Sequence, residues 1–229
     1  MAGFDGRIVI VDTPEKLQKA CDHLMTCGVI GFDTETRPSF KAGVSYNVSL
    51  VQLSTDDVCY LVRLCSVRME RPLLHLLESK EVLKVGVDVV GDVRNLNKLR
   101  HFRAGGFVEL QREVEPFGIE DKSLRKMAAI ILGVGVSKAQ RLSNWEAREM
   151  TSAQLRYAAT DAWVCLKMYR ALFGEGVHAP KFDVFAQPKA EAKPKTEHTE
   201  GQPKPDAPAH RKRRRPHRNR KKTKQTQSQ

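Results

Sequence analysis

Apolar positions divide the first 175 residues into a short series of elements. RIVIVD (7–12) has the density of branched residues expected of a strand, and Thr13-Pro14 behind it suits the N-cap and first position of a helix running to about Cys27. GVIGFDTET (28–36) is apolar almost without a break until it ends in acids, the pattern of a strand buried on both faces. NVSLVQLST (47–55) and VCYLVRL (58–64) predict two further strands, with Asp56-Asp57 at the turn between them. A helix around 70–79 precedes the strand VLKVGVD (82–88). A second helix, from about 91 to 101, carries Val93, Leu96 and Leu99 on one stripe, and FVELQREV (107–114) reads as one more strand. Beyond it the pattern is helical: Ser123 to Leu132, a short segment near Trp145, and Ser152 to Phe173, with Thr151 as N-cap and Gly174 as stop. A strand meander followed by strand–helix alternation predicts an α/β fold, a mixed sheet flanked by helices.

Composition changes this picture mainly at the C-terminus. Hydrophobic residues make up 41% of the 229, enough for one globular core, and the net charge is +12. From residue 186 onward the chain holds 14 of the 39 Lys/Arg and 4 of the 27 Asp/Glu, so that segment is +10 and residues 1–185 are +2. Residues 186–229 lack aromatic and branched aliphatic residues and are rich in proline. They are expected to form a disordered basic tail behind a folded domain of residues 1–180. No stretch approaches the roughly 18 apolar residues of a membrane-spanning helix. The first residues, MAGFDGRIVIVD, carry charge too early for a signal peptide, which predicts a cytoplasmic protein. In a eukaryotic cell RKRRR (211–215) would serve as a nuclear signal. The five cysteines, Cys21, Cys27, Cys59, Cys65 and Cys165, have neither CxxC spacing nor neighbouring histidine pairs, and read as reduced core thiols.

Candidate chemistry lies in acids set among apolar residues. Asp33 and Glu35 stand two apart at the carboxyl end of a buried strand, so both side chains leave one face into the crevice where open α/β sheets bind ligands. Asp88 and Asp92 follow the next buried strand. Tyr157 and Asp161 are four apart on a helix and share a face. Asp33 follows VIGF and Asp161 precedes AWVCL, so each is partly shielded, and a shielded carboxylate is costly unless paired or bound to metal. The segment Gly86-x4-Gly91 imitates a phosphate loop, but aspartate stands where that loop needs lysine.

Taken together, these motifs resemble the DEDD superfamily of 3′→5′ exonucleases, in the subgroup with tyrosine in its last motif (the ribonuclease D group and the Werner syndrome helicase exonuclease domain). FDTET (32–36) is similar to the first motif, KVGVDVVGDVRNL (84–96) to the second and YAATDAWVCLKMY (157–169) to the third. SKAQRLSNW (137–145) resembles the basic-then-Ser-Asn-Trp stretch of the Werner-like branch. The resemblance covers about residues 8–175 and implies a ribonuclease H-like fold. Its motif spacing selects Asp92 over Asp88.

Further implications concern the site. Asp33, Glu35, Asp92, Asp161 and Tyr157 would be catalytic, the four acids holding two Mg²⁺ (or Mn²⁺) ions. Such ions offset four mutually repelling carboxylates and, about 3.5–4 Å apart, clamp the attacking and leaving oxygens of a phosphoryl displacement. Asp33, Glu35 and Asp161 would hold the ion carrying the water, Asp33 would bridge to the second ion, and Asp92 would support that ion through water. Tyr157 would hydrogen-bond the attacking water or the scissile phosphate. The implied partner is nucleic acid, DNA or RNA, cut from its 3′ end. Lys138 is the candidate phosphate contact, with Arg141 a weaker one; Ser143, Asn144 and Phe40 complete the substrate-binding candidates, and Trp145 is read as packing. The competing reading is an inactive nucleic-acid-binding module dominated by the tail. Such a module would be expected to have lost an acid or the tyrosine, and all five are present.

Overall fold

The computed structural model describes residues 1–178 and 184–185; the basic segment expected to be disordered lies outside the described residues. Six strands form one mixed sheet: β1 (Arg7–Val11), β2 (Val29–Thr36), β3 (Val48–Ser54), β4 (Val58–Arg63), β5 (Leu83–Gly86) and β6 (Phe107–Glu109), in spatial order β1-β4-β3-β2-β5-β6. The chain of antiparallel pairs β2–β3–β4 is flanked by parallel pairs, β1 with β4 on one side and β5 with β2 and β6 on the other. The helices are α1 (Pro14–Leu24), α2 (Leu64–Val67), α3 (Arg71–Glu78), α4 (Val89–Leu99), α5 (Leu110–Glu113), α6 (Leu124–Leu132) and α7 (Ser152–Phe173). No helix among the described residues is long and apolar enough to cross a membrane.

Alternation along β2 assigns the two faces of the sheet. Ile30 and Phe32 join Leu17, Leu24, Leu73, Leu76, Val93 and Leu96 in a core against α1, α3 and α4. Val29, Val85 and Leu83 pack instead with Met127 of α6 and Leu166 and Met168 of α7. A third cluster, Phe4, Leu50, Leu61, Trp145, Ala158 and Ala159, extends the α7 side toward the strand ends. α7, about 33 Å long at 1.5 Å per residue, opens with a reciprocal capping box: Thr151 Oγ1 accepts from Gln154 N at 3.2 Å, and Gln154 Oε1 accepts from Thr151 N at 3.0 Å.

The structure corrects several expected boundaries. α1 ends at Leu24, three residues short of Cys27. FVELQREV is not one strand: β6 has three residues, because Glu109 turns its carboxylate onto Gln111 N (3.2 Å) and caps α5. Leu99 drops off the apolar stripe of α4 and is 37% exposed, while Val89 replaces it at the buried end. Near Trp145 there is no helix. Successive four-residue turns are closed by Arg141 N to Lys138 O, Ser143 N to Gln140 O and Ala147 N to Asn144 O, pinned by the buried indole. α2 and a 3₁₀ turn at Glu115–Phe117 escaped the pattern because each is about one turn long. All five cysteines are free, but only Cys21, Cys59 and Cys165 are buried; Cys27 is half-buried and Cys65 exposed.

Candidate functional site

Along β2, Asp33 and Glu35 continue the face of Gly31, toward α7, and Thr34 the face of Phe32, toward α4. Gly31 sets how closely α7 can cross. A Cβ there would collide with the Ala162 carbonyl oxygen and lie 2.7 Å from its carbon. That approach places Asp161, the residue before Ala162, against the strand end. One carboxylate oxygen from each of Asp33, Glu35 and Asp161 lies within 4.8 Å of the others. Tyr157, one turn before Asp161, places its phenol beside the Asp161 carboxylate. Its ring lies 6.0 Å from that of Trp145, tilted by 34°, so the buried indole packs against the tyrosine.

Asp92 enters from the other side. It sits in the first turn of α4, where Thr34 Oγ1 donates to its Oδ1 at 2.6 Å. The hydroxyl between the two β2 acids therefore links the first acidic pair to the fourth carboxylate. Asp88 is exposed and adopts a left-handed backbone (φ 62°) at the start of α4 without capping it. The cap comes from Glu109 of β6, whose carboxylate accepts from Asp88 N at 3.1 Å and Val89 N at 2.8 Å. It thereby satisfies N–H groups that a helix start leaves open.

Burial and mutual repulsion dominate the electrostatics. Desolvation first, and then the Asp161 charge, push Asp33 well above the usual carboxylate range. Desolvation together with Asp33, Asp161 and Asp92 raises Glu35 to about 10. Desolvation and Asp33 raise Asp92 to about 8 against the opposing Thr34 hydrogen bond. Asp161 rises to about 7 through burial, moderated by Tyr157. Tyr157 itself moves up, through burial and then the charges of Asp161 and Glu35. The set consists of hard oxygen donors crowded together, and no cation among the described residues contributes to neutralising them. Asp161 Oδ1 is buried with no hydrogen-bond partner among the described residues. These acids could hold a divalent metal ion, which would offset the repulsion and use the orphaned oxygen.

The other substrate-binding candidates lie apart from this cluster. Lys138 and Arg141 are exposed; Ser137 and Ala139, beside Lys138, line a pocket with Arg156, Tyr157 and Asp161. Ser143 spends its hydroxyl on Gln140 Oε1 (2.7 Å), and Asn144 Oδ1 accepts from Glu146 N (3.2 Å), so both shape the loop. Phe40 is 82% exposed and shares a groove with Arg37, Tyr46, Leu142 and Asn144.

Four supporting residues were not read from the sequence: Gly31, Thr34, Gln52 and Glu109. Gln52 pairs with Asp33 across β2–β3 and so projects from the same face; it is fully buried, and neither amide atom has a partner among the described residues. Its signal in the sequence was the one amide in a strand otherwise made of aliphatic residues and serines.

Comparison with known proteins accords with this geometry. Residues 8–175 match the model of a family described as 3′-5′ exonuclease. The mouse bifunctional 3′-5′ exonuclease/ATP-dependent helicase WRN is 35% identical over 169 residues, covering 71% of this chain and 12% of its own length. The chain thus spans a small part of that relative. Among solved structures, the Nibbler EXO domain of Aedes aegypti superposes with a TM-score of 0.67 at 25% identity, over 75% of this chain and 91% of that one. Escherichia coli RNase D, titled an exoribonuclease involved in structured RNA processing, gives the same TM-score at 20% identity, over 74% and 45%, and shows the shared fold alone. The mixed sheet with helices on both faces is the ribonuclease H-like exonuclease fold, and the chain belongs to the 3′-5′ exonuclease family of nuclease hydrolases.

Proposed function

We propose that this protein removes nucleoside 5′-monophosphates from the 3′ end of a nucleic-acid strand, using two divalent ions, Mg²⁺ or Mn²⁺, held by Asp33, Glu35, Asp92 and Asp161. The observation that carries the reading is the convergence of Asp33, Glu35 and Asp161 oxygens within 4.8 Å beside Tyr157. When bound, such ions polarise the phosphoryl group and lower the pKa of a coordinated water. Asp33 and Glu35 present their oxygens from a rigid strand end. Asp161 supplies the facing oxygen from α7, and Asp92 is oriented by Thr34.

The raised pKa of Tyr157 keeps the phenol protonated near neutral pH, so it acts as a hydrogen-bond donor to water or phosphate and not as a free base. Trp145 restricts its ring. The groove of Phe40, Tyr46 and Leu142 offers apolar surface on which bases of a single strand stack. Arg156, which lines a pocket with Tyr157 and Asp161, and the exposed Lys138 and Arg141 of the 137–145 loop supply positive charge for phosphates. DNA is the favoured substrate, on the likeness of Ser143-Asn144-Trp145 to the Werner-like branch. The folded domain of residues 1–180 carries the chemistry, and the basic segment from residue 186 adds nucleic-acid affinity, in the cytoplasm.

The test uses matched 5′-labelled DNA and RNA strands with Mg²⁺ or Mn²⁺. A ladder shortening stepwise from the 3′ end, abolished by EDTA, is the expected result. No metal-dependent shortening of single-stranded DNA, recessed duplex or RNA refutes it.

A further inference from the structure

The flank of α4 turned away from the acidic cluster borders a groove of about 1000 Å³. Val90, Arg94 and Asn97 follow one another along this flank at helical spacing, His101 continues the lining just beyond the helix end at Leu99, and Lys80, Arg103 and Phe185 close the groove from the α3–β5 turn, the loop before β6 and the C-terminal segment. Asp92 lies about half a turn around the helix from this row, so the groove is separate from the metal-binding face. Lys80, Arg94 and Arg103 are exposed, and none makes an ion pair among the described residues. Among the described residues of the lining the one acid, Glu78, already accepts the Arg103 backbone N–H at 2.9 Å. Residues 1–185 are only +2 overall, which makes three unpaired cations against one acid in a single groove a local excess.

We propose that this groove grips the phosphodiester backbone of the substrate strand upstream of the nucleotide being removed, as a second nucleic-acid contact distinct from the cleavage site. The proposal rests on the nuclease reading above. Positive charge in a concave, partly apolar groove raises the local concentration of a polyanion. Along α4 the lining from Val90 to Asn97 spans about 10 Å at 1.5 Å per residue, room for more than one phosphate. The covalent chain continues from Phe185, in the groove, into the segment that carries 14 of the 39 Lys/Arg, so two sources of positive charge are tethered together. An acidic peptide would meet the same charge; the nuclease reading and the basic continuation favour a nucleic-acid strand.

The test compares the full chain with K80Q/R94Q/R103Q by fluorescence anisotropy, in EDTA, on single strands of four and thirty nucleotides. The 30-mer is expected to bind at least tenfold more weakly to the variant. The slope of log Kd against log salt should fall by about 2, at about 0.7 per phosphate contact for single strands. The 4-mer should bind unchanged, and with metal the kcat on it should match the parent. R94K restored in the variant should recover part of the loss. Unchanged 30-mer affinity and slope, or an equal loss on the 4-mer, overturns the proposal. So does equal loss of binding to a poly-glutamate peptide of matching charge, which would make the groove an acidic-protein site. Because binding is read without metal, a parent that cuts nothing would refute the nuclease reading and leave the groove decided.

Discussion

Replacing Gly31 with alanine adds one methyl group nearly at the crossing of β2 and α7. The added Cβ would collide with the Ala162 carbonyl oxygen, lie 2.7 Å from its carbon and stand 3.3 Å from the Leu166 Cβ. Ordinary carbon–carbon contacts are about 3.5–4.0 Å, so the helix must withdraw by about 1 Å. Two of the opposing atoms belong to the backbone, and no rotamer change relieves them. Overpacking of this kind costs about 1–3 kcal/mol, which in a domain of this size lowers Tm by about 3–10 °C. The larger effect falls on the site, because the segment that withdraws carries Asp161 and Tyr157 while Asp33 and Glu35 stay on the strand. A displacement of about 1 Å costs on the order of 100-fold in rate, and the same shift should raise the metal concentration needed for half-maximal activity. The assay is a Mg²⁺ titration of strand shortening, with a thermal melt of the same preparation. Cleavage within threefold of the parent, with unchanged metal dependence and Tm, would refute the argument that close strand–helix approach assembles the site.

Other expectations follow from the electrostatics and the caps. Asp161, Asp92 and Glu35 have folded pKa values of about 7, 8 and 10, raised from ordinary values near 4. The folded state therefore binds more protons, and without metal it should lose stability as pH rises from about 5 to 9; Mg²⁺ should flatten that fall, and melts in EDTA and in Mg²⁺ that stay parallel would contradict it. Asp33→Asn and Asp161→Asn should each abolish cleavage while leaving the metal-free Tm equal or higher, since one repelling charge is gone; a drop of several degrees would make those acids structural. Glu109→Gln leaves one oxygen to accept where two now serve Asp88 N and Val89 N. It should cost about 1–2 kcal/mol, the scale of a lost helix cap, and loosen Asp92, so that activity falls at low metal and recovers at high metal. Equal loss at all metal concentrations would point away from Asp92. Tyr157→Phe should lower kcat and leave metal dependence nearly unchanged; a weakened metal response would assign the phenol to the metal site.

The local chemistry of this site follows from short-range periodicity, which the sequence carries openly. Spacing of two on a strand puts Asp33 and Glu35 on one face, and spacing of four on a helix puts Tyr157 beside Asp161. The order of strands and helices, the Thr151 cap and the Gly174 stop are of the same kind. Elements of a single turn, such as α2 and α5, hold too few residues for a period to show, and the end of β6 leaves no mark in the pattern because it depends on where the Glu109 side chain turns.

Other features depend on contacts between residues far apart in the chain. Nothing in the order of residues announces that Thr34 reaches Asp92 across 58 positions, or that Glu109 caps a helix beginning twenty residues earlier. Nor does it show that Gln52 lies buried opposite Asp33 or that Gly31 admits the α7 backbone. The sequence by itself determined which acids could share a face; the tertiary structure alone decided that three of them meet within 4.8 Å. The physical reason is that a residue's face depends on its own strand or helix, whereas the distance between faces depends on how closely separate elements pack.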